Sequence, residues 1–394
     1  MYQIDVPEVS YSDPWASTYE QQIQNLSRNV FRIAYYYDEP DNSTFRYRVY
    51  NMIQAFTESM LPVSAAYFTR HDSNYMDEVL KIADILVICR SKYTDKLDHL
   101  VMRAKSRGIP VLYDIDDFVF DTRAVHLLID TLQQPRNEAD WDFWFAYFAR
   151  NGSALRLCDG AITTNAFLAA RLQSFIGKPV FIIPNYLNKE QLAISERIYQ
   201  QKIRNNFSRS NKLHLGYFSG SPSHNKDFKI ILTTLSELLQ NYPQVVLRIA
   251  GYIDLKEALK SFTDRIEYLP FTDFINLQRY IGSTEINMVP LQDNEFTNCK
   301  SQLKYFEAGA VGTVTVASPV FTYRESIEHA KNGYLANSYQ WYDILANLIE
   351  NMDAARPIIE AAYKHSLEQF AWYNQVDRLE QVFLADGALQ SASF

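Results

Sequence analysis

The sequence is poor in cysteine, glycine and proline. Its 394 residues include 12 glycines, 14 prolines and three cysteines, which are Cys89, Cys158 and Cys299. Three widely separated cysteines argue against a disulfide framework or a thiolate zinc site and fit a reducing compartment. So few glycines and prolines also exclude a collagen-like or low-complexity chain.

Long apolar runs and an excess of positive charge are absent as well. No run approaches the ~18 apolar residues of a membrane span, and residues 1–15 have neither a basic region nor an apolar one, so we expect no signal peptide and a cytoplasmic protein. The chain has 38 basic and 46 acidic side chains, a net charge of −8. This balance argues against nucleic acid as a partner.

What the chain does have is a repeated alternation of short apolar runs and longer helical patterns. This pattern indicates βαβ units and an α/β fold with parallel sheets. Runs such as ILVIC at 85–89 lack polar alternation, as strands buried on both faces do. The predicted strands are 31–37, 63–68, 84–89, 109–114, 159–164 and 180–183, then 213–219, 245–250, 265–268, 286–289 and 313–317.

A polar stretch separates the two sets of strands. Residues 188–211 are charged and rich in Ser and Asn, as an interdomain connection would be. We therefore predict two doubly wound domains, at 1–190 and 212–372, joined by a linker at 191–211.

Ligands of such sheets bind beyond the carboxyl ends of the strands, where helix N-termini point at them. The loop SGSPSHNKDF, residues 219–228, follows one such strand. Gly220 and Ser221 allow close approach of the backbone, and His224 and Lys226 stand at the start of the next helix. The loop suits a diphosphate, although an ordinary capped helix start explains it equally well. It is neither a P-loop nor a dinucleotide fingerprint.

A second candidate is the segment NEFTNCKSQLKYFEAGAVGTVTVASP, residues 294–319. If a helix begins near Ser301, then Lys300, Lys304 and Glu307 share one face. Two ammonium groups and a carboxylate suit a nucleotide, with the lysines on phosphate and the carboxylate on ribose. The alternative is a solvated face with a weak Lys–Glu pair.

Together these segments resemble the retaining GT-B glycosyltransferases. The resemblance is carried by SGSPSHNKDF, by KSQLKYFEAGAVGTVTVAS with the later NGYLA, and by YDIDDFVF and IIPNYLN in the first half. It implies two Rossmann-like doubly wound domains facing across a cleft, with a C-terminal helix at about 373–394 that packs back on the first domain.

The resemblance also implies the roles of individual residues. The second domain would bind a nucleotide-sugar donor and the first a glycan or lipid-linked acceptor, with no metal or other cofactor strictly required. Lys226 and Glu307 would be catalytic. The donor-binding set would be Gly220, Ser221, His224, Lys226, Lys300, Ser301, Lys304 and Glu307.

The sequence departs from that family in two places. Many relatives have a glutamate eight positions before the one matched by Glu307, where this chain has Cys299, and Glu295 lies too early to replace it. An arginine often found in the phosphate loop is replaced by Ser221. Lys226, Lys300 and Lys304 would then supply the positive charge.

Acceptor-side candidates come from the first domain. Asp114, Asp116 and Asp117 end a predicted strand, and Arg46 follows the first strand. The carboxylates would bond acceptor hydroxyls or orient a base, although a structural strand-end role is equally compatible. A metal-binding role is the less favoured alternative, and the seven histidines show no metal-ligand spacing.

The most aromatic segment is DWDFWFAYFAR, residues 140–150. We interpret it as a helix buried in an enlarged first domain. The alternative is an acceptor lid or a membrane-interface helix, which its acidic residues disfavour because anionic lipid would repel them.

The sequence therefore predicts a glycosyltransferase that moves a sugar, with retention, in the synthesis of a polysaccharide or glycoconjugate. One alternative is a nucleotide-sugar epimerase, which needs no acceptor. Another is a non-catalytic subunit, which would bind a nucleotide but transfer nothing.

Overall fold

Two parallel sheets form the framework of the molecule. The computed structural model describes residues 1–219, 225–251, 253 and 259–384. The first sheet has the strand order β2-β1-β3-β4-β5-β6 with every pair parallel. Its strands are β1 (Phe31–Tyr37), β2 (Val63–Thr69), β3 (Ile85–Cys89), β4 (Val111–Asp114), β5 (Gly160–Thr163) and β6 (Val180–Ile182).

Helices cover both faces of the first sheet, which is why β3 is apolar along its whole length and fully buried. Helix α4 shows how the sequence sets its limits: Thr94 caps its first turn, and the left-handed Gly108 (φ 73°) follows its end. The helices are α1 (Tyr19–Leu26), α2 (Asn51–Glu58), α3 (Met76–Val79), α4 (Asp95–Ser106), α5 (Val125–Thr131), α6 (Glu138–Leu157) and α7 (Ala166–Ile176).

Helix α6 contains the aromatic segment that we predicted to be buried. That prediction is only partly right, because Phe148 is fully buried whereas Phe143 and Phe145 are 56% and 46% exposed. The N-terminal half of the helix thus presents aromatic rings at the surface.

Where we predicted a connection, the chain forms helix α8 (Lys189–Arg204). Its buried residues include Ile194 and Ile198, and it packs on helices of the second half. The polar composition of this segment reflects the exposed face of an amphipathic helix.

The second sheet has the order β12-β11-β10-β7-β8-β9, again with parallel pairs. Its strands are β7 (Leu213–Phe218), β8 (Val245–Ala250), β9 (Ile266–Leu269), β10 (Ile286–Val289), β11 (Val314–Ala317) and β12 (Tyr334–Leu335). The two-residue strand β12 is too short to have been predicted. The α/β class and the pair of doubly wound parallel sheets are confirmed.

The remaining helices surround this sheet or return to the first one. They are α9 (Asn225–Lys229), α10 (Leu232–Asn241), α11 (Phe274–Ser283), α12 (Glu295–Asn298), α13 (Leu303–Ala310), α14 (Phe321–Ser326), α15 (Trp341–Glu350), α16 (Arg356–Phe370) and α17 (Val376–Phe383). Phe383 of α17 packs edge-on against Phe56 of α2, with 5.5 Å between the ring centroids. The chain therefore returns to the first sheet after it has completed the second.

Residues 1–11 run the opposite way, from the second sheet's side to the first. The amide of Tyr2 donates to the carbonyl of Ser283, and Val9 exchanges two hydrogen bonds with the side chain of Asn276. Within the described residues, no helix is long and apolar enough to cross a membrane.

Candidate functional site

A cavity of about 670 Å³ lies between the two sheets. One wall consists of loops that follow β1, β3 and β4 of the first sheet, and the other consists mainly of α11, α13 and the ends of β7 to β10. The carboxyl ends of the strands in both sheets therefore face a shared space, as in other open α/β sheets. From the predicted site set, the cavity brings together Arg46, Asp116, Asp117, Lys300, Ser301, Lys304 and Glu307.

Lys304 is a cation without an anionic partner in this cavity. It lies on the first turn of α13, its Nζ is 5.1 Å from the centroid of the Tyr217 ring, and none of the described residues forms a salt bridge with it. Desolvation lowers the pKa of its ammonium group to about 8, although Asp227 and Glu307 act in the opposite direction. Lys304 is thus largely charged at neutral pH and suited to an anionic ligand.

Two other donors beside Lys304 are also unused. The Ser301 hydroxyl is buried and has no hydrogen-bond partner among the described residues. The same is true of one terminal nitrogen of Arg46, whose guanidinium lies over the rings of Tyr47 and Phe274. Buried polar atoms normally have partners. These two donors are therefore available to a ligand that accepts hydrogen bonds.

Glu307 is buried at the boundary between the two halves. Its Oε1 accepts hydrogen bonds from the Tyr47 hydroxyl at 2.5 Å and from Gln191 at 3.2 Å, and it lies 3.7 Å from Arg46. Burial raises the pKa of Tyr47, and the Glu307 carboxylate raises it further while Arg46 lowers it, so the phenol stays a donor. Oε2 accepts no hydrogen bond from the described residues, which leaves one carboxylate oxygen free.

The side chains of the successive residues Arg46, Tyr47 and Arg48 point in three different directions. Residues Arg46–Tyr50 form one π-helical turn before α2, a conformation that is frequent at functional sites. Arg46 lines the cavity, Tyr47 reaches Glu307, and Arg48 is directed into the first sheet.

Asp117 bridges the two walls of the cavity. It forms salt bridges with Lys300 at 3.1 Å and with Arg90 at 3.2 Å, and Arg90 also binds Asp116 at 2.8 Å. Burial would raise the pKa of Asp117, but Lys300 and Arg90 outweigh it and hold the pKa below its usual value. Of the lysines predicted to bind phosphate, Lys300 therefore already has an anionic partner in the first half.

Arg90 is a site residue that the sequence reasoning missed. It follows the buried strand β3, has a left-handed backbone (φ 44°), and lines the cavity. Such a conformation costs a residue with a Cβ about 1–2 kcal/mol and is typical of functional loops. Its position at the carboxyl end of a strand was the available signal.

Asp114 does not belong to the cavity, contrary to our expectation. Its two carboxylate oxygens accept hydrogen bonds from Nε and a terminal nitrogen of Arg48 at 2.8 and 3.0 Å, and both side chains are fully buried. The side chain of a residue on a strand points to one face of the sheet, whereas Asp116 and Asp117 lie beyond the strand end. Asp114 is therefore a structural residue.

Lys226 also lies outside the cavity lining. Its Nζ donates to Asp130, at the end of α5 in the first half, at 2.8 Å. Gly220, Ser221 and His224 lie outside the described residues.

The position of the missing glutamate is occupied by a buried thiol. Cys299 is completely buried and is not part of the cavity lining; its carbonyl accepts a hydrogen bond from Asn165. Glu295 forms a salt bridge with Arg171 at 3.0 Å, also away from the lining. Neither residue therefore places a carboxylate in the cavity at the position of the missing glutamate.

Within the described residues, no group of three or more His, Cys, Asp or Glu side chains is arranged to hold a metal ion.

Comparisons with known proteins agree with this architecture. Residues 213–353 match the glycosyl transferases group 1 family. No curated protein matches the sequence.

Solved structures with the same fold are glycosyltransferases of low sequence identity. Anabaena HepE in complex with UDP and glucose is 14% identical, with a TM-score of 0.60 over 89% of this chain and 97% of that one. Sucrose-phosphate synthase from Thermosynechococcus elongatus is 13% identical, with a TM-score of 0.60 over 89% and 98%. A glycosyltransferase from Rickettsia africae is 13% identical, with a TM-score of 0.60 over 90% and 98%. Residues 213–353 thus match the glycosyl transferases group 1 family, and the chain shares the two-sheet GT-B fold of these solved structures.

Proposed function

We propose that the cavity binds a nucleoside-diphosphate sugar and that the enzyme transfers this sugar to a glycan or lipid-linked acceptor. The observation that carries the proposal is Lys304, a desolvated ammonium group with no salt-bridge partner among the described residues. A diphosphate would supply the missing negative charge and would accept hydrogen bonds from Ser301.

The cations have a role in the reaction as well as in binding. When the bond between the sugar and the diphosphate breaks, negative charge accumulates on the departing phosphate. A fixed ammonium group in a partly desolvated site stabilises that charge more than water does. Lys304 is placed for this role, and Lys300 joins it if the phosphate displaces Asp117.

Glu307 is placed to bind the ribose. Three neighbours hold its Oε1, so the free Oε2 points in a defined direction and is available to a ribose hydroxyl. The hydrogen bond from Tyr47 fixes the carboxylate without neutralising it, since the phenol retains its proton.

UDP sugars are the first donors to test, because HepE has been crystallised with UDP and glucose on the same fold. We further propose that transfer retains the anomeric configuration, with the acceptor hydroxyl attacking from the face that the phosphate leaves and its proton passing to the phosphate. The unpaired thiols Cys89, Cys158 and Cys299 support a cytoplasmic site of action. We propose that the transfer belongs to polysaccharide or glycoconjugate synthesis.

The proposal is tested by donor binding to Lys304→Met and to a matched control, Lys364→Met. Lys364 is an exposed lysine of α16 that pairs only weakly with Glu368. Calorimetric titration with UDP, GDP, dTDP and ADP should give one clear binder for the wild type, and K304M should weaken it at least tenfold while K364M leaves it unchanged. Equal affinity in all three proteins would contradict the assignment.

Turnover separates transfer from the alternatives. With the donor that binds, sugar should appear on an added acceptor at a rate that depends on the acceptor concentration. Conversion of the donor's sugar to its epimer without an acceptor would indicate an epimerase, and binding without any turnover would indicate a non-catalytic subunit.

A further inference from the structure

Helix α6 carries a strip of aromatic side chains beside a carboxylate, in which Phe143 is exposed while Trp144 and Tyr147 are partly buried against the core of the first half. The strip consists of Asp140, Phe143, Trp144 and Tyr147, which share one helical face because they are spaced by three, four and seven residues. It extends for about 10 Å along the helix. Phe143 is 56% exposed, although a ring of this size is usually covered.

The rings of the strip are already ordered by each other. Phe143 stacks on Tyr147 with 6.2 Å between centroids and 22° between planes, while Trp144 meets Tyr147 edge-on at 5.8 Å. Phe143 therefore presents a preformed ring face, whereas the Tyr147 ring is covered by Phe143 and has the Lys92 ammonium group 5.6 Å from its centroid. A ligand would lose little entropy in ordering the Phe143 ring.

The strip approaches the cavity through Tyr147, which is not itself part of the cavity lining. The side chain of Tyr147 interacts with that of Arg90, and Arg90 binds Asp116 and Asp117 on the first-domain wall. A chain-like molecule whose end lies beside these carboxylates would continue along α6.

We propose that the strip binds the oligosaccharide portion of the acceptor, an inference that rests on the proposed function. A sugar ring has a flat C–H face that packs on an aromatic ring, and hydroxyl edges that bond to a carboxylate such as Asp140 or to a phenol such as that of Tyr147. An aromatic face with a carboxylate in the same stripe matches both properties.

The charge around the strip favours a glycan over a membrane surface. Glu138, Asp140 and Asp142 all lie in the same two turns, and an anionic lipid headgroup layer would be repelled by them. A neutral oligosaccharide meets no such repulsion.

The experiment compares Phe143→Ala with Phe145→Ala. The two phenylalanines are on the same helix and similarly exposed, but Phe145 lies off the strip and its ring contacts that of Trp141. The probes are the hexasaccharides of glucose in α1,4 and β1,4 linkage, of xylose and of N-acetylglucosamine, titrated by NMR without donor. Vesicles of neutral and of anionic phospholipid form a separate arm, and each variant is also titrated with UDP.

We expect at least one hexasaccharide to bind the wild type, F143A to weaken it about tenfold, and F145A to change it less than twofold. UDP affinity should be the same in all three proteins. Absence of binding by every hexasaccharide, equal weakening by the two variants, or vesicle binding that F143A abolishes would each overturn the proposal. If UDP does not bind but the hexasaccharide result holds, the donor assignment fails and the glycan site stands.

Discussion

Lys304 and Glu307 show how one face of a short helix becomes a site. Both residues lie on α13, three positions apart, and both line the cavity. Lys304 has no anionic partner among the described residues, whereas Glu307 is held by Tyr47 of the first half and by Gln191 of α8. Within the part of the chain that the structure describes, the arrangement leaves the Lys304 ammonium group and one Glu307 carboxylate oxygen without a partner.

We predict that donor affinity decreases as the pH rises through about 8. The reason is that desolvation lowers the pKa of Lys304 to about 8, so its ammonium group is lost over that range, and a phosphate binds the charged form. Titration of UDP between pH 6.5 and 9.5 measures the effect. Lys304→Arg should flatten the profile, because a guanidinium stays protonated; an unchanged profile in K304R would assign the titration to another group.

A second prediction concerns Asp117, which competes with phosphate for Lys300. Asp117→Asn should tighten UDP binding several-fold, since it frees the Lys300 ammonium group for the phosphate, and should slow transfer if Asp117 bonds the acceptor. Calorimetry measures the affinity for UDP, and initial rates measure the transfer. Asp77→Asn is the control, because Asp77 also bridges two cations, Arg103 and Arg107, but lies outside the cavity. Weaker UDP binding by D117N would disprove the competition.

At the scale of elements, strand β4 and the turn before α2 are joined by a buried ion pair. Arg48 and Asp114 are fully buried, and Arg48 also donates to the carbonyl of Ile183 and to the side chain of Asn185. The ion pair therefore connects three segments of the first half, which are the turn before α2, strand β4 and the residues that follow β6.

We predict that Asp114→Asn destabilises the protein by about 3–5 kcal/mol, because it leaves the Arg48 charge buried without its counterion. Chemical denaturation followed by tryptophan fluorescence measures the loss. Asp116→Asn is the matched control: Asp116 is also paired with an arginine but is partly exposed at the cavity wall, so it should cost about 1 kcal/mol or less. Similar losses in both variants would show that the Arg48 pair has no special structural role.

At the scale of the whole molecule, contacts between the two halves keep the cavity shaped. They include the Tyr47–Glu307 hydrogen bond, the Lys300–Asp117 salt bridge and the packing of α17 on α2. The two walls of the cavity come from different sheets, so the cavity exists only when the two halves are packed together.

We predict that this assembly needs no divalent metal for transfer. We expect Lys304 and Arg46, joined by Lys300 if the phosphate displaces Asp117, to supply the positive charge that a metal would otherwise provide. Activity should therefore persist in excess EDTA and should not increase with Mg²⁺ or Mn²⁺. Loss of activity that either ion restores would contradict the prediction and direct attention to Asp116 and Asp117.

Much of the architecture could be predicted because its causes are local in sequence. Buried strands such as β3 are uninterrupted apolar runs, and helices such as α4 begin at a capping residue and end at a glycine. The common face of Lys304 and Glu307 also follows from helical spacing, whereas Lys300 precedes α13 and reaches the cavity from a non-helical segment, contrary to the prediction. The short strand β12 was missed because two residues carry too little local signal. Helix α8 was missed although Asn188 caps it and its buried residues follow the helical period, because its polar composition was interpreted as a connection.

The partners of the site residues depended on contacts between distant segments. Asp114, Asp116 and Asp117 are neighbours in the sequence, but only the register of β4 decides that the first is buried with Arg48 and the other two face the cavity. Arg90 and Asp117 are 27 positions apart, and Tyr47 and Glu307 are 260 apart. The sequence by itself determined the two α/β halves and the chemistry of their loops, because periodicity and capping act over a few residues. Only the tertiary structure decided which charges are paired and which are left for a ligand, because that depends on how the two sheets pack against each other.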